Sequence, residues 1–266
     1  MSLDALPRCS RLPLAPRLPA LLEALGRIPD DAWQHHFNTG YYQGEWSGVA
    51  LITPEDALLP LAPGQGEPVP TDWWQEEQAW HQVLALFQTN IRSARLLRLG
   101  AGARIHEHCD PDLGQPGGDL RLHMPLLSPA DVEFLVDGLQ VPMKVGECWF
   151  VDLSRPHRVD NPGPGARVHL VLDCQPNAWL LELLHQGISD TPELSPGRAG
   201  LAFATFRDHV AGDPNLAERL RTITDPHLFC EAVVRLGHEQ GLEFSEADVK
   251  GAMRQGKRTW NDQWRA

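Results

Sequence analysis

From Ser93 to Cys174 apolar and polar residues alternate with a period of two, the spacing of strands that show different chemistry on their two faces. The pattern predicts strands over 93–99, 104–107, 119–127, 131–136, 139–143, 147–151, 157–159 and 166–174. Turn chemistry separates them: Gly100-Ala101-Gly102, Pro116-Gly117-Gly118, Val145-Gly146 and the run Asn161-Pro162-Gly163-Pro164-Gly165. Asp137-Gly138 between apolar runs is a two-residue hairpin signal. Eight short strands so spaced predict a jelly roll or barrel rather than alternating β-α units.

On both sides of this region the period changes. Leu18, Leu21, Leu22 and Leu25 have helical spacing that ends at Gly26, and Asp30-Asp31 starts a second short helix expected to reach Phe37. Tyr41, Tyr42, Trp46, Val49 and Leu51 alternate with glycines and polar residues, as strands joined by turns do. Residues 53–70 read as a loop, and Thr71-Asp72 opens a helix through Trp74, Trp80, Leu84 and Phe87. Residues 1–15, rich in Pro and Arg, are expected to cover the surface or fray. After Gln175-Pro176-Asn177 the chain is helical over 178–185. A linker to residue 200 leads to helices over 202–211, 214–222, 226–240 and 245–255. Asp213-Pro214 and Asp225-Pro226 pair a capping carboxylate with proline at the first helical position, and Ser245-Glu246-Ala247-Asp248 is a further cap. A domain boundary is expected near residues 190–200.

Composition narrows the class. With 266 residues, 42% hydrophobic and 22% charged, the chain is an ordinary globular one. A net charge of −12 argues against nucleic acid, whose phosphates need clustered positive charge. No apolar run is long enough to span a membrane, and prolines interrupt the N-terminus where a signal region would stand. The five cysteines, Cys9, Cys109, Cys148, Cys174 and Cys230, are scattered in neither a disulfide nor a zinc pattern, so a cytoplasmic location is expected.

The chemistry gathers between Arg104 and Asp173. His108-Cys109-Asp110 alone is weak, because Asp110-Pro111-Asp112 is turn chemistry in its own right. His157, about fifty residues on and at the start of a strand, supplies what the tripeptide lacks. Two imidazoles and a carboxylate can hold iron(II) on one triangular face and leave three positions open. Arg167, ten residues after His157, could then take the far carboxylate of a 2-oxo acid in a bidentate contact.

Strand parity adds to this reading. Arg121 and His123 share one face against Leu120, Leu122, Met124 and Leu126, while Arg167 and His169 share one against Val168, Leu170 and Leu172. A barrel with a polar interior gives that pattern, and so does an antiparallel sheet with one wet face. His106 lies one strand step from His108 on the same face, as a lining residue or a ligand in another register. Cys109 is expected to point away and pack. His35, His36, His81, His185, His209, His227 and His238 sit in helical patterns and read as surface or packed residues. A zinc hydrolase using His108, Asp110 and His157 stays open but gives the interior arginines no task. The chain has no Gly-x-Ser-x-Gly elbow, phosphate loop or His-Glu-x-x-His.

Four ordered segments resemble the aspartyl/asparaginyl β-hydroxylase family of 2-oxoglutarate-dependent oxygenases. They are Ala94–Asp110, Leu120–Pro125, Gly146–Asn161 and Ala166–Asp173, within a similarity spanning about residues 40–180. The resemblance implies a mainly β fold with a double-stranded β-helix (jelly-roll, cupin-like) core, flanking N-terminal helices and a C-terminal all-α appendage. The dioxygenase domain would span residues 1–195 and the helical one 196–266. It further implies His108, Asp110 and His157 as iron(II) ligands, and Arg167 on the distal carboxylate of 2-oxoglutarate. Arg121 and His123 would contact its other end or the substrate, with His169 beside them. Some family members lack the acidic ligand, whereas Asp110 completes the triad here. A serine that helps hold the co-substrate in some members is replaced by Leu97. The implied reaction uses O2 to hydroxylate an unactivated C–H of an amino acid, or of an Asp/Asn-type residue in a peptide, releasing succinate and CO2. The alternative is a non-catalytic or differently metallated cupin-like binding module. The tail, in Ala204–Leu220, Asp225–Phe229 and Gly237–Val249, resembles the nitrogen-fixation-associated leader domains of peptide precursors. That likeness implies a peptide substrate or a partner surface, and a helical cap packed on the barrel or a homodimer contact stands as an equal alternative.

Overall fold

The computed structural model describes residues 6–114 and 117–262. In chain order its elements begin with β1 (Cys9–Leu12), α1 (Leu18–Gly26), β2 (Gln34–His35), β3 (Tyr42–Gln43), β4 (Trp46–Pro54) and β5 (Pro68–Pro70). Next come α2 (Asp72–Gln75), α3 (Gln78–Leu84), β6 (Ile91–Leu99), β7 (Arg104–His108), β8 (Leu120–Leu127), β9 (Glu133–Val136) and β10 (Leu139–Gln140). They are followed by β11 (Cys148–Val151), β12 (His157–Asp160), β13 (Arg167–Cys174), α4 (Ala178–Ile188) and β14 (Ser195–Pro196). Last are α5 (Arg198–Gly212), α6 (Pro214–Arg221), α7 (Pro226–Glu239) and α8 (Glu246–Asp262). The described residues form two compact units, one of those up to 136 with 141–193, the other of 137–140 with those from 194 on.

The first unit is built on two antiparallel sheets rather than a closed barrel. The larger runs β1-β11-β8-β13-β6-β4-β2, with β5 added on β4, and the smaller contains β9-β12-β7-β3. The alternation along β8 and β13 does what the pattern required. Leu120, Leu122, Met124 and Leu126 join Val168, Leu170 and Leu172 in one buried apolar cluster with Leu21 of α1, Trp80 of α3 and Leu180 of α4. Burying that face against helices drives the layer to form. The opposite faces of the same strands carry Arg121, His123, Arg167, His169 and Asp173, and this polar row is also out of bulk water.

Several expectations need correction. Residues 9–12 do not fray: they pair antiparallel with β11, Cys9 opposite Val151 and Leu12 opposite Cys148. The Ser10 hydroxyl donates to the Leu184 carbonyl of α4 at 2.7 Å. The helix expected over 30–37 is one 3-10 turn, Asp30–Ala32, because Gln34 and His35 pair with Gly48 and Ser47 of β4. Sheet pairing overrides local propensity there. The helix expected over 71–87 is two short ones, broken where the Glu77 carboxylate caps α3 by accepting from the Ala79 N–H. The strand expected over 139–143 stops at Gln140, two residues before Pro142, which has no N–H to give a ladder.

In the second unit β10 pairs with β14, and α5 to α8 enclose a core of Phe206, Leu216, Leu220, Cys230, Val233, Leu236, Phe244 and Val249. The Asp213 carboxylate accepts from the N–H groups of Asn215 and Leu216. That of Asp225 does the same for His227 and Leu228. Each proline that follows supplies no N–H where a helix has none to use.

Candidate metal centre and its cavity

A β-bulge decides which residues of β7 face inward. His157 of β12 pairs with His108, but Val159, two residues on, pairs with Ile105, three residues back, so β7 carries one extra residue. Ile105 and His108 therefore both line the cavity, whereas His106 is exposed. This corrects the expectation that His106 and His108 share a face.

His108, Asp110 and His157 each present a ligand atom, and these atoms all lie within 4.8 Å of one another. The imidazole rings are 4.2 Å apart between centroids, and His108 Nε2 is 3.5 Å from Asp110 Oδ1. Both imidazoles are oriented from behind in the same way. His108 Nδ1 lies 2.8 Å from the His106 carbonyl, and His157 Nδ1 lies 2.9 Å from the Arg155 carbonyl. A carbonyl at Nδ1 fixes the tautomer in which Nδ1 carries the proton and Nε2 offers a lone pair to a metal. Burial, above all, pushes the His157 imidazole down to about 4, which favours the neutral form that ligates. Cys109, between His108 and Asp110, is exposed rather than packed, because its segment has left the strand.

The carboxylate of this cluster is held by an arginine. Arg121 donates to Asp110 Oδ2, and also to Asp173, Nε to Oδ1 at 2.6 Å and a terminal nitrogen to Oδ2 at 3.0 Å. Asp173 also accepts from Arg95 and, at 2.9 Å, from the Ser93 hydroxyl. Burial would raise the Asp173 carboxyl, but Arg121 and Arg95 outweigh it and hold it well below the usual carboxylate range. Likewise the two carboxylates keep Arg121 firmly protonated against its own desolvation. Arg121 thus ties Asp110 to Asp173 while it also lines the cavity.

At the other end of the same face Arg167 is 2% exposed. Among the described residues its guanidinium hydrogen-bonds His169 Nδ1, at 2.7 Å, and its guanidinium carbon stands 5.5 Å from the centre of the Phe134 ring. Its Nε has no partner among the described residues. Burial pushes this guanidinium down to about 9 with no carboxylate to counter it. Beside it His123, 4% exposed, has neither ring nitrogen satisfied, and burial, then Arg167, keep its imidazole neutral. Orphaned buried donors are costly, and these face one cavity of about 280 Å³ that also holds the triad. His169 lies behind the wall, where it orients Arg167.

The sequence reading missed part of the lining. His36, placed in a helical pattern, stacks on Trp46 with ring centroids 3.5 Å apart and closes one side of the cavity. Burial, then Arg95 and Arg121, push it down to about 3. Tyr41 contributes a ring 4.7 Å from that of His108. Asp119 and Arg92 form a buried ion pair at 2.9 Å that also lines the cavity. An aspartate immediately before a strand that carries Arg121 was the available signal.

The family model described as aspartyl/asparaginyl beta-hydroxylase matches residues 27–176. Solved structures with similarity include a 2OG-Fe(II) oxygenase family oxidoreductase from Burkholderia pseudomallei, at 12% identity over 59% of this chain and 78% of that one, TM-score 0.41. A prolyl-4-hydroxylase from Pseudomonas putida is 17% identical over 64% of this chain and 92% of that one, TM-score 0.38. Likeness this distant adds nothing to the family match. No curated protein matches the sequence. The matched span ends before the helical tail, whose likeness to leader domains stays an expectation of the sequence.

Proposed function

Because this chain belongs to the aspartyl/asparaginyl β-hydroxylase family, we propose that it hydroxylates an unactivated C–H of an amino acid, or of an Asp/Asn-type residue in a peptide, using iron(II), 2-oxoglutarate and O2 and releasing succinate and CO2. Its class is that of an oxygenase-type hydroxylase. In this reading His108, Asp110 and His157 would hold the iron, which would supply the oxidative chemistry with co-substrate and oxygen. The donor set suits the ion: two neutral imidazoles with free Nε2 positions and one carboxylate.

The chain's own part is position and charge. Arg121 holds Asp110 in place through a charge-assisted hydrogen bond. Arg167 takes the distal carboxylate of 2-oxoglutarate, and His123 offers a hydrogen bond along the same co-substrate. His169 fixes the Arg167 fork, while Phe134 walls it from water. The observation that carries the reading is Arg167, a buried guanidinium with no carboxylate, in the cavity that contains the triad. A dianionic co-substrate supplies the missing charge.

The test is to incubate the full chain with iron(II), 2-oxoglutarate and panels of amino acids and peptides. A substrate gaining the mass of one oxygen atom in step with succinate supports the reading. Activity that persists without O2 or 2-oxoglutarate would replace it with a hydrolytic or isomerising one.

A further inference from the structure

The register of the larger sheet sorts the cavity into two ends. Along β13, Arg167 pairs opposite Leu99, while Asp173 pairs opposite Ser93 and Arg121. Six residues of strand separate these levels, roughly 20 Å of backbone. The Asp110–Arg121–Asp173 contacts tie Asp110, the carboxylate of the triad, to the Asp173 level, while the His157 ring lies 6.5 Å from Phe134 on the side toward Arg167. With the co-substrate between the triad and Arg167, the substrate is left the far side. Asp119 lies there, two residues before Arg121 at the end of β8 away from Arg167.

Asp119 is 6% exposed. Its Oδ2 accepts from Arg92 Nε at 2.9 Å, but its Oδ1 is buried with no partner among the described residues. Arg92 is committed elsewhere too, since it donates to the Gln65 and Gly66 carbonyls at 2.5 and 3.2 Å. A bulge aims it: Asp173 pairs with Ser93 and Cys174 with Ile91, so Arg92 is skipped by the ladder. Burial raises the Asp119 carboxyl despite Arg92. The site is a fixed carboxylate with one oxygen satisfied by protein and the other left for a donor.

We propose that Asp119 Oδ1 receives the protonated amine of the substrate, making this residue a selector for amine-bearing substrates over their amine-free analogues. The proposal rests on the functional reading above, which assigns the Arg167 end to the co-substrate. Asp119 touches no iron ligand in this scheme and takes no part in the oxidation.

Calorimetric titration of the full chain with manganese(II) and 2-oxoglutarate tests it, using the twenty amino acids, short peptides with free N-termini, and matched amine-blocked or amine-free partners. Such pairs include L-proline with N-acetyl-L-proline and L-leucine with 4-methylpentanoic acid. At least one amine member should bind roughly tenfold or more tighter than its partner. Asp119→Asn, which keeps an acceptor for Arg92, should erase that preference and leave 2-oxoglutarate affinity unchanged. A purely structural Asp119 would lower stability without moving the preference. The proposal is overturned by equal binding within pairs, by a preference that survives Asp119→Asn, or by no amine probe binding at all. The wild-type comparison needs no variant to fold. Failure of the functional reading would appear separately, as absent 2-oxoglutarate binding before any probe is added.

Discussion

Arg121 and Arg167 rise from neighbouring antiparallel strands into one cavity, yet their surroundings are opposite. Arg121 reaches two carboxylates, Asp110 and Asp173. Arg167 reaches none among the residues with which it is seen to interact, and meets a histidine and an aromatic ring. The first is charge already compensated within the fold, as structural ion pairs are. The second is charge left over, which a folded chain tolerates where a ligand will complete it. Local compensation separates the arginine that is tied into the fold from the one proposed to bind at the site, although both show the same Arg-x-His pattern.

The largest way to break this comparison is to remove a member of the triad both regions serve. His157→Ala should cost turnover well beyond the ~100-fold typical of losing a supporting contact, with iron no longer retained after dialysis. Retained stoichiometric iron would move the ligand set elsewhere. Arg121→Ala comes next: it strands Asp110 and leaves Asp173 to Arg95, and should lower the unfolding free energy by about 3–5 kcal/mol. Iron affinity should fall ~10–100-fold with it. A variant as stable as the parent in urea titration would show that Arg121 is not structural.

Asp173 sharpens the compensated side through pH. Its carboxyl is depressed in the folded chain, so its stabilisation is complete above the unfolded value near ~4 and is lost as pH falls toward the folded one. Below pH ~4 the parent should lose stability more steeply than Asp173→Asn, while at neutral pH the parent is the more stable. Equal acid slopes would mean that Arg95 and Arg121 do not hold this carboxylate.

Much of the fold was legible because period two persisted over eighty residues and turn residues punctuated it; β6, β8 and β13 fall where the alternation put them. That His108, Asp110, His157 and Arg167 line one cavity was legible for the same reason, since parity and order along a strand survive folding. What stayed illegible depended on partners. The bulge between Ile105 and His108 exists only against β12, so parity along β7 alone misplaced His106. Residues 9–12 became a strand because β11 offers an open edge. His36 left its helical pattern because β2 pairs with β4, which brought it to Trp46. Arg121 and Arg167 look alike in sequence, and only the positions of Asp110 and Asp173 tell them apart.

The most direct measurement is on Arg167→Met, which replaces the uncompensated guanidinium with an apolar chain of similar length. Iron stoichiometry should match the parent, and the unfolding midpoint should hold or rise because a desolvated charge is gone. The KM for 2-oxoglutarate should increase about 10–100-fold, the worth of a charge-assisted contact. Lost iron, a less stable fold or an unchanged KM would contradict the assignment of Arg167 as the co-substrate anchor.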